Sequence, residues 1–137
     1  MSGVSLSNIS KAEWKIIHIL KEEKIEFERE KTFKDLRLGL LRYDFFIPSK
    51  KIIIEFNGAQ HYQWVTHFFR TRQDFLAQQE RDRRKISYAL AHGYKMYCIP
   101  YWEEENIECF KDLTKPEFRV KSKFHNDIAW RNFSKKG

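Results

Sequence analysis

The sequence predicts an α/β fold, a mixed central β-sheet flanked by helices within a single domain. Its 137 residues suffice for one hydrophobic core and not for two cores joined by a linker. Apolar residues make up 42% of the chain, with only five Gly and three Pro, a composition that folds and does not remain disordered. The hydrophobic period switches along the chain from helical to strand-like, back to helical and again to strand-like, as in a sheet with helices packed on it.

Each element has its own signal. Ile9, Ala12, Ile16, Ile17 and Leu20 recur at helical spacing, with Ser7 or Asn8 as N-cap, which predicts a helix over 8–24. Residues 27–33 alternate polar and apolar, suiting an edge strand. Residues 42–47 and 51–56 are rich in β-branched and aromatic side chains and flank the turn Pro48-Ser49-Lys50. They predict a hairpin apolar on both faces, as central strands are. A helical pattern over 72–92 is closed by Gly93, and residues 94–99 read as a further strand ended by Pro100. After Lys115 the periodicity is weak, so the chain divides into a domain over 1–114 and a basic extension over 115–137.

The net charge of +7 is unevenly placed. The extension carries seven bases against Glu117 and Asp127, and Arg70, Arg72, Arg81, Arg83, Arg84 and Lys85 outnumber Asp74, Glu80 and Asp82. Bases interleaved with Phe68, Phe69, Phe75, Phe124, Trp130 and Phe133 suit a polyanion with stackable bases, although such tails also serve solubility alone. The apolar runs are far shorter than the ~20 residues a bilayer span needs, and residues 1–10 lack a signal-peptide pattern, so a soluble cytoplasmic protein without a membrane partner is expected. Cys98 and Cys109 form no CxxC or Cys/His cluster, which excludes a readable zinc site and points to a reducing compartment.

The acids carry the chemistry. A hairpin closed symmetrically about Ser49-Lys50 sets Ile47 against Ile52, Phe46 against Ile53, Phe45 against Ile54 and Asp44 against Glu55. Two like charges between Tyr, Phe and Ile repel with little water to screen them. A Mg²⁺ ion would relieve that repulsion, as would a neighbouring Arg42 or Lys51. Asp82 falls on the inward stripe Phe75, Gln79, Asp82, Ile86, Ala89, with Arg81 and Arg83 as alternative partners, and Glu13 lies on the line Ile9, Glu13, Ile16, Leu20. His61 follows the Asn57-Gly58 turn, which returns it to the strand end bearing Glu55, where an imidazole can exchange a proton near neutral pH.

The runs Arg42-Tyr43-Asp44-Phe45-Phe46-Ile47, Ile54-Glu55-Phe56-Asn57-Gly58-Ala59-Gln60-His61-Tyr62, Glu80-Arg81-Asp82-Arg83-Arg84-Lys85-Ile86 and Gly93-Tyr94-Lys95 resemble the PD-(D/E)XK nuclease superfamily. Within it they are most similar to the very-short-patch-repair endonucleases and to small homing endonucleases with a Glu-Asp-any-His-Asp active site. The resemblance spans about residues 11–102 and implies a restriction-endonuclease-like core. It makes Glu13, Asp44, His61 and Asp82 the corresponding catalytic residues and puts Glu55 at the second metal-binding strand position. The superfamily's lysine two residues after the second acid is Asn57 here, so His61 is expected in its place, with Lys85 reaching in from the helix as the alternative. The cysteine and histidine cluster of the mismatch-repair members is absent.

The expected function is a Mg²⁺-dependent DNA endonuclease, with Mn²⁺ as a possible substitute and no zinc, acting as monomer or homodimer. Asp44 and Glu55 would hold the metal, His61 would transfer a proton, and Asp82 and Glu13 would orient it. Arg70, Arg72, Arg83, Arg84, Lys85, Lys121, Lys123 and Arg131 would neutralise DNA phosphates, with Trp64, Phe68 or Phe69 as a wedge between bases. The alternatives are a resolvase-type nuclease specific for branched DNA and a catalytically silent nucleic-acid-binding module.

Overall fold

The computed structural model describes residues 9–34, 36, 41–58, 61 and 71–126. Helix α1 spans Lys11–Glu22 and begins later than the apolar spacing suggests. Ser10 sets that start: its hydroxyl accepts the Glu13 N–H, and the Glu13 carboxylate accepts the Ser10 N–H, at 3.1 Å each. Ser7 and Asn8 lie outside the described residues.

Strands β1 (Glu28–Lys31), β2 (Tyr43–Ile47), β3 (Ile52–Asn57) and β4 (Lys95–Pro100) form one mixed sheet in that order. β1, β2 and β3 are antiparallel neighbours, and β4 runs parallel to β3. The β2–β3 register pairs Phe45 with Ile54, Phe46 with Ile53 and Ile47 with Ile52, as the hydrophobic pattern predicts. A 3₁₀ turn over Pro48–Lys50 makes the reversal, and Lys51 closes it in the left-handed region at φ 53°. The parallel β3–β4 pair needs a crossover, which contains helix α2 (Arg72–Ala91). Gly93 at φ 76° takes the left-handed position after α2 that a Cβ would strain.

One core joins Phe45, Ile47, Ile52, Ile54, Tyr97 and Ile99 to Ile16, Ile17, Ile19 and Leu20 of α1. The other joins Phe46, Ile53, Met96 and Cys98 to Ile86 and Ala89 of α2. The two helices therefore cover opposite faces, and the α/β class expected from the sequence holds. No helix among the described residues is long and apolar enough to cross a membrane.

The basic segment after Lys115 packs on the domain as far as Asn126. A short helix α3 (Phe110–Leu113) leads to Phe118 in the α1-side core and Val120 in the α2-side core. Arg119 bridges antiparallel to Tyr97, and the Val120 N–H donates to the Met96 carbonyl at 2.8 Å. This segment covers the outer edge of β4, placing one apolar side chain on each face. Phe118→Ala should therefore destabilise the protein by about 3–5 kcal/mol, measured as a shifted urea midpoint; an unchanged midpoint would show the segment to be a loose tail.

Candidate functional site

The register that aligns Phe45 with Ile54 brings Asp44 beside Glu55 at the end of the hairpin. There the side chains bond to facing backbone. The Asp44 N–H donates to Glu55 Oε2 at 2.6 Å, and the Phe56 N–H donates to Asp44 Oδ2 at 2.9 Å. These bonds hold two acids close together in a half-dry setting. Neither Arg42 nor Lys51 is the charge that answers them: Arg42 pairs with Glu30 at 3.6 Å, and Lys51 sits at the turn, the other end of the hairpin.

Lys85 answers them instead. Its ammonium donates to Glu55 Oε1, and the pair is almost entirely enclosed, with side-chain exposures of 12% and 5%. The Tyr43 ring lies 5.3 Å from Nζ, while the Tyr43 hydroxyl donates to the Lys85 carbonyl at 2.7 Å, which fixes the lysine in place. Expected among the phosphate-neutralising bases, Lys85 is instead drawn inward to Glu55.

The electrostatics follow from this burial. Desolvation, then the Glu55 charge, push the Asp44 carboxyl well above its ordinary 3.8, against the pull of Lys85 and the Phe56 N–H. For Lys85, desolvation acts to lower the pKa, but Glu55 and Asp44 together raise it, so the ammonium stays charged. Burial and Glu55 raise the Tyr43 phenol and the Cys98 thiol, keeping the first a donor and the second unreactive.

Asp44 also gathers a second set of acids. One ligand atom each from Glu13, Glu30 and Asp44 lies within 4.8 Å of the others. No sequence pattern singles out Glu30. It sits between Arg29, which pairs with Phe45, and Lys31, which pairs with Tyr43, hence opposite Asp44, at a left-handed φ of 52°. Glu13 is additionally held by Arg29 at 3.3 Å. The carboxylate group near Asp44 is therefore wider than the expected pair with Glu55. Glu30 is exposed and the other two are half-buried, and together the three carboxylates offer hard oxygen ligands that could hold a cation.

A carboxyl with a raised folded-state pKa binds its proton more tightly in the fold than in the unfolded chain. Its contribution is fully present below the unfolded value of 3.8 and is lost as pH rises through the folded one. Asp44→Asn removes that loss and leaves one ammonium facing one acid. Without divalent cations, its Tm should exceed that of the wild type at pH 7.5, and the gap should close toward pH 4. A lower Tm at pH 7.5 would contradict the proposed repulsion.

The second half of the site stands on α2. Asp82 points inward as its stripe predicts, and its Oδ2 accepts from His61 Nδ1 at 2.8 Å. Gln78 Nε2 donates to Oδ1 at 3.0 Å, and Asn126 Nδ2 lies 3.5 Å from Oδ2. Arg81 instead donates to Gln78 Oε1, while Arg83 lies over the Phe124 ring at 5.3 Å. Asp82 and Lys85 lie one helical turn apart, so the His61–Asp82 pair and the Asp44–Glu55–Lys85 group meet at one end of the sheet.

Arg72 and Arg84 are exposed, and Lys121 and Lys123 are exposed on the C-terminal segment, with Lys123 Nζ over Phe124 at 5.3 Å. Arg70, Arg131, Trp64, Phe68 and Phe69 lie outside the described residues.

No family model matches the chain. It is similar to an uncharacterized protein, 307L, of Invertebrate iridescent virus 6, at 34% identity over 44% of this chain and 31% of that protein. It is also similar to an uncharacterized protein, 094L, of Frog virus 3, at 39% identity over 44% of this chain and 40% of that protein. The matched segment thus spans less than half the length of each relative.

Proposed function

We propose that this chain is a Mg²⁺-dependent DNA endonuclease of the PD-(D/E)XK type. The observation that supports it best is the convergence of a buried carboxylate–lysine group, Asp44, Glu55 and Lys85, with a His61–Asp82 pair at one sheet end. Structural ion pairs rarely need a histidine–aspartate pair alongside, whereas phosphodiester hydrolysis uses both parts.

Asp44 and Glu55 would hold the ion, with Glu13 and Glu30 as further carboxylate donors beside Asp44. Each Glu55 oxygen keeps a second lone pair after accepting from Lys85 or Asp44. An ion held there would supply Lewis-acid polarisation of the scissile phosphate and a lowered pKa for an attacking water. Lys85, fixed by Tyr43 and held charged, adds a positive charge where negative charge develops on the phosphate. His61 donates its Nδ1 proton to Asp82, which directs Nε2 as the nitrogen that takes or gives a proton. Arg72, Arg84, Lys121 and Lys123 supply the charge for the DNA backbone.

The reading is tested by incubating end-labelled linear duplex and four-way junction DNA with the protein in Mg²⁺, Mn²⁺ or EDTA. Metal-dependent cleavage of the linear duplex is expected. Cutting confined to junctions would favour the resolvase-type alternative, and binding without cleavage in either metal would leave a silent binding module.

A further inference from the structure

We propose that Asn126 and Asn57 are positioning residues, forming an amide relay that ties the C-terminal segment to Asp82 and fixes the carboxylate that orients His61. The kinetic part of this inference rests on the nuclease reading; the structural part does not. Asn57, at the end of β3, and Asn126, beyond the segment that covers β4, are both buried, at 2% and 6% exposure. Asn57 Nδ2 donates to Asn126 Oδ1 at 3.1 Å, and Asn126 Nδ2 lies 3.5 Å from Asp82 Oδ2, the oxygen that also faces His61 Nδ1.

The direction of this chain follows from its end point. An ionised carboxylate only accepts, so Asn126 must turn its NH₂ group, not its carbonyl, to Asp82. Its carbonyl then faces Asn57, which must donate. Gln78 donates to the other Asp82 oxygen. Donors from Gln78 and Asn126 fix the orientation of the Asp82 carboxylate, and that carboxylate, which can only accept, takes the His61 Nδ1 proton and so orients the imidazole. Two buried amides also have no cheaper arrangement, because breaking either link strands a polar group away from water.

The test uses the full chain with ¹⁵N-labelled histidine at pH 8. In the wild type, His61 should show a protonated Nδ1 and a deprotonated Nε2. Asn126→Ala should let the Asp82 carboxylate turn, shift the His61 Nδ1 resonance and lower the single-turnover cleavage rate about 10–100-fold with unchanged DNA affinity. Asn57→Ala, one link further away, should shift both readouts in the same direction by less. If the variants fail to fold, the wild type still decides: the Nδ1–H tautomer and slow exchange of the Asn126 side-chain amide protons are expected. A folded Asn126→Ala with wild-type His61 shifts, or a wild-type His61 protonated on Nε2, would overturn the relay. Absence of cleavage by the wild type counts against the nuclease reading alone, and the tautomer measurement then decides the relay.

Discussion

Asp44→Asn should lower Mg²⁺-dependent cleavage by at least about 10²–10³-fold, the scale of losing one preorganised electrostatic group, and should do so in a folded protein. The asparagine carbonyl can still accept the Phe56 N–H that now reaches Asp44 Oδ2, so the hairpin end keeps its backbone bond. What disappears is the one carboxylate shared by two groupings, Glu55 with Lys85 on one side and Glu13 with Glu30 on the other. Gain of stability without metal, together with loss of cleavage, is the paired signature of a site that tolerates like charges for the sake of a cation. Full cleavage by this variant would remove Asp44 from the chemistry and take the site assignment with it.

His61→Ala should slow single-turnover cleavage by roughly 10²–10⁴-fold while leaving DNA affinity nearly unchanged. The reason is geometric. Nδ1 is committed to Asp82 at 2.8 Å, so the imidazole is oriented as a proton carrier and not as a phosphate clamp. Equal losses in affinity and rate would make His61 a DNA contact or a structural residue.

Much of this architecture is legible in the residues because it rests on short-range patterns. Phe45, Phe46 and Ile47 against Ile52, Ile53 and Ile54, joined by a three-residue turn, leave one register that keeps both faces apolar, and Asp44 falls beside Glu55 as a consequence. Asp82 is legible from the α2 stripe, where a polar residue at an apolar position stands out. Glu30 is not, because its place opposite Asp44 depends on the β1 register and on a left-handed φ that no residue type announces there. The Lys85–Glu55 bond depends on how far α2 stands from the sheet, which periodicity does not encode. Asn57, Asn126 and Asp82 meet across separations of 69 and 44 residues, and Phe118 and Val120 dock through a strand-like edge too short to show a period.

The proposed function has the Asp44–Glu55–Lys85 group and the His61–Asp82 pair act together in metal-dependent hydrolysis of DNA. It is tested most directly by incubating supercoiled plasmid with the wild-type protein and with Asp44→Asn, each in Mg²⁺ and in EDTA, and resolving the products on a gel. Nicked or linear plasmid is expected for the wild type in Mg²⁺, and intact supercoils in the other three reactions. Intact supercoils with wild type and Mg²⁺, or equal cutting by Asp44→Asn, would contradict it.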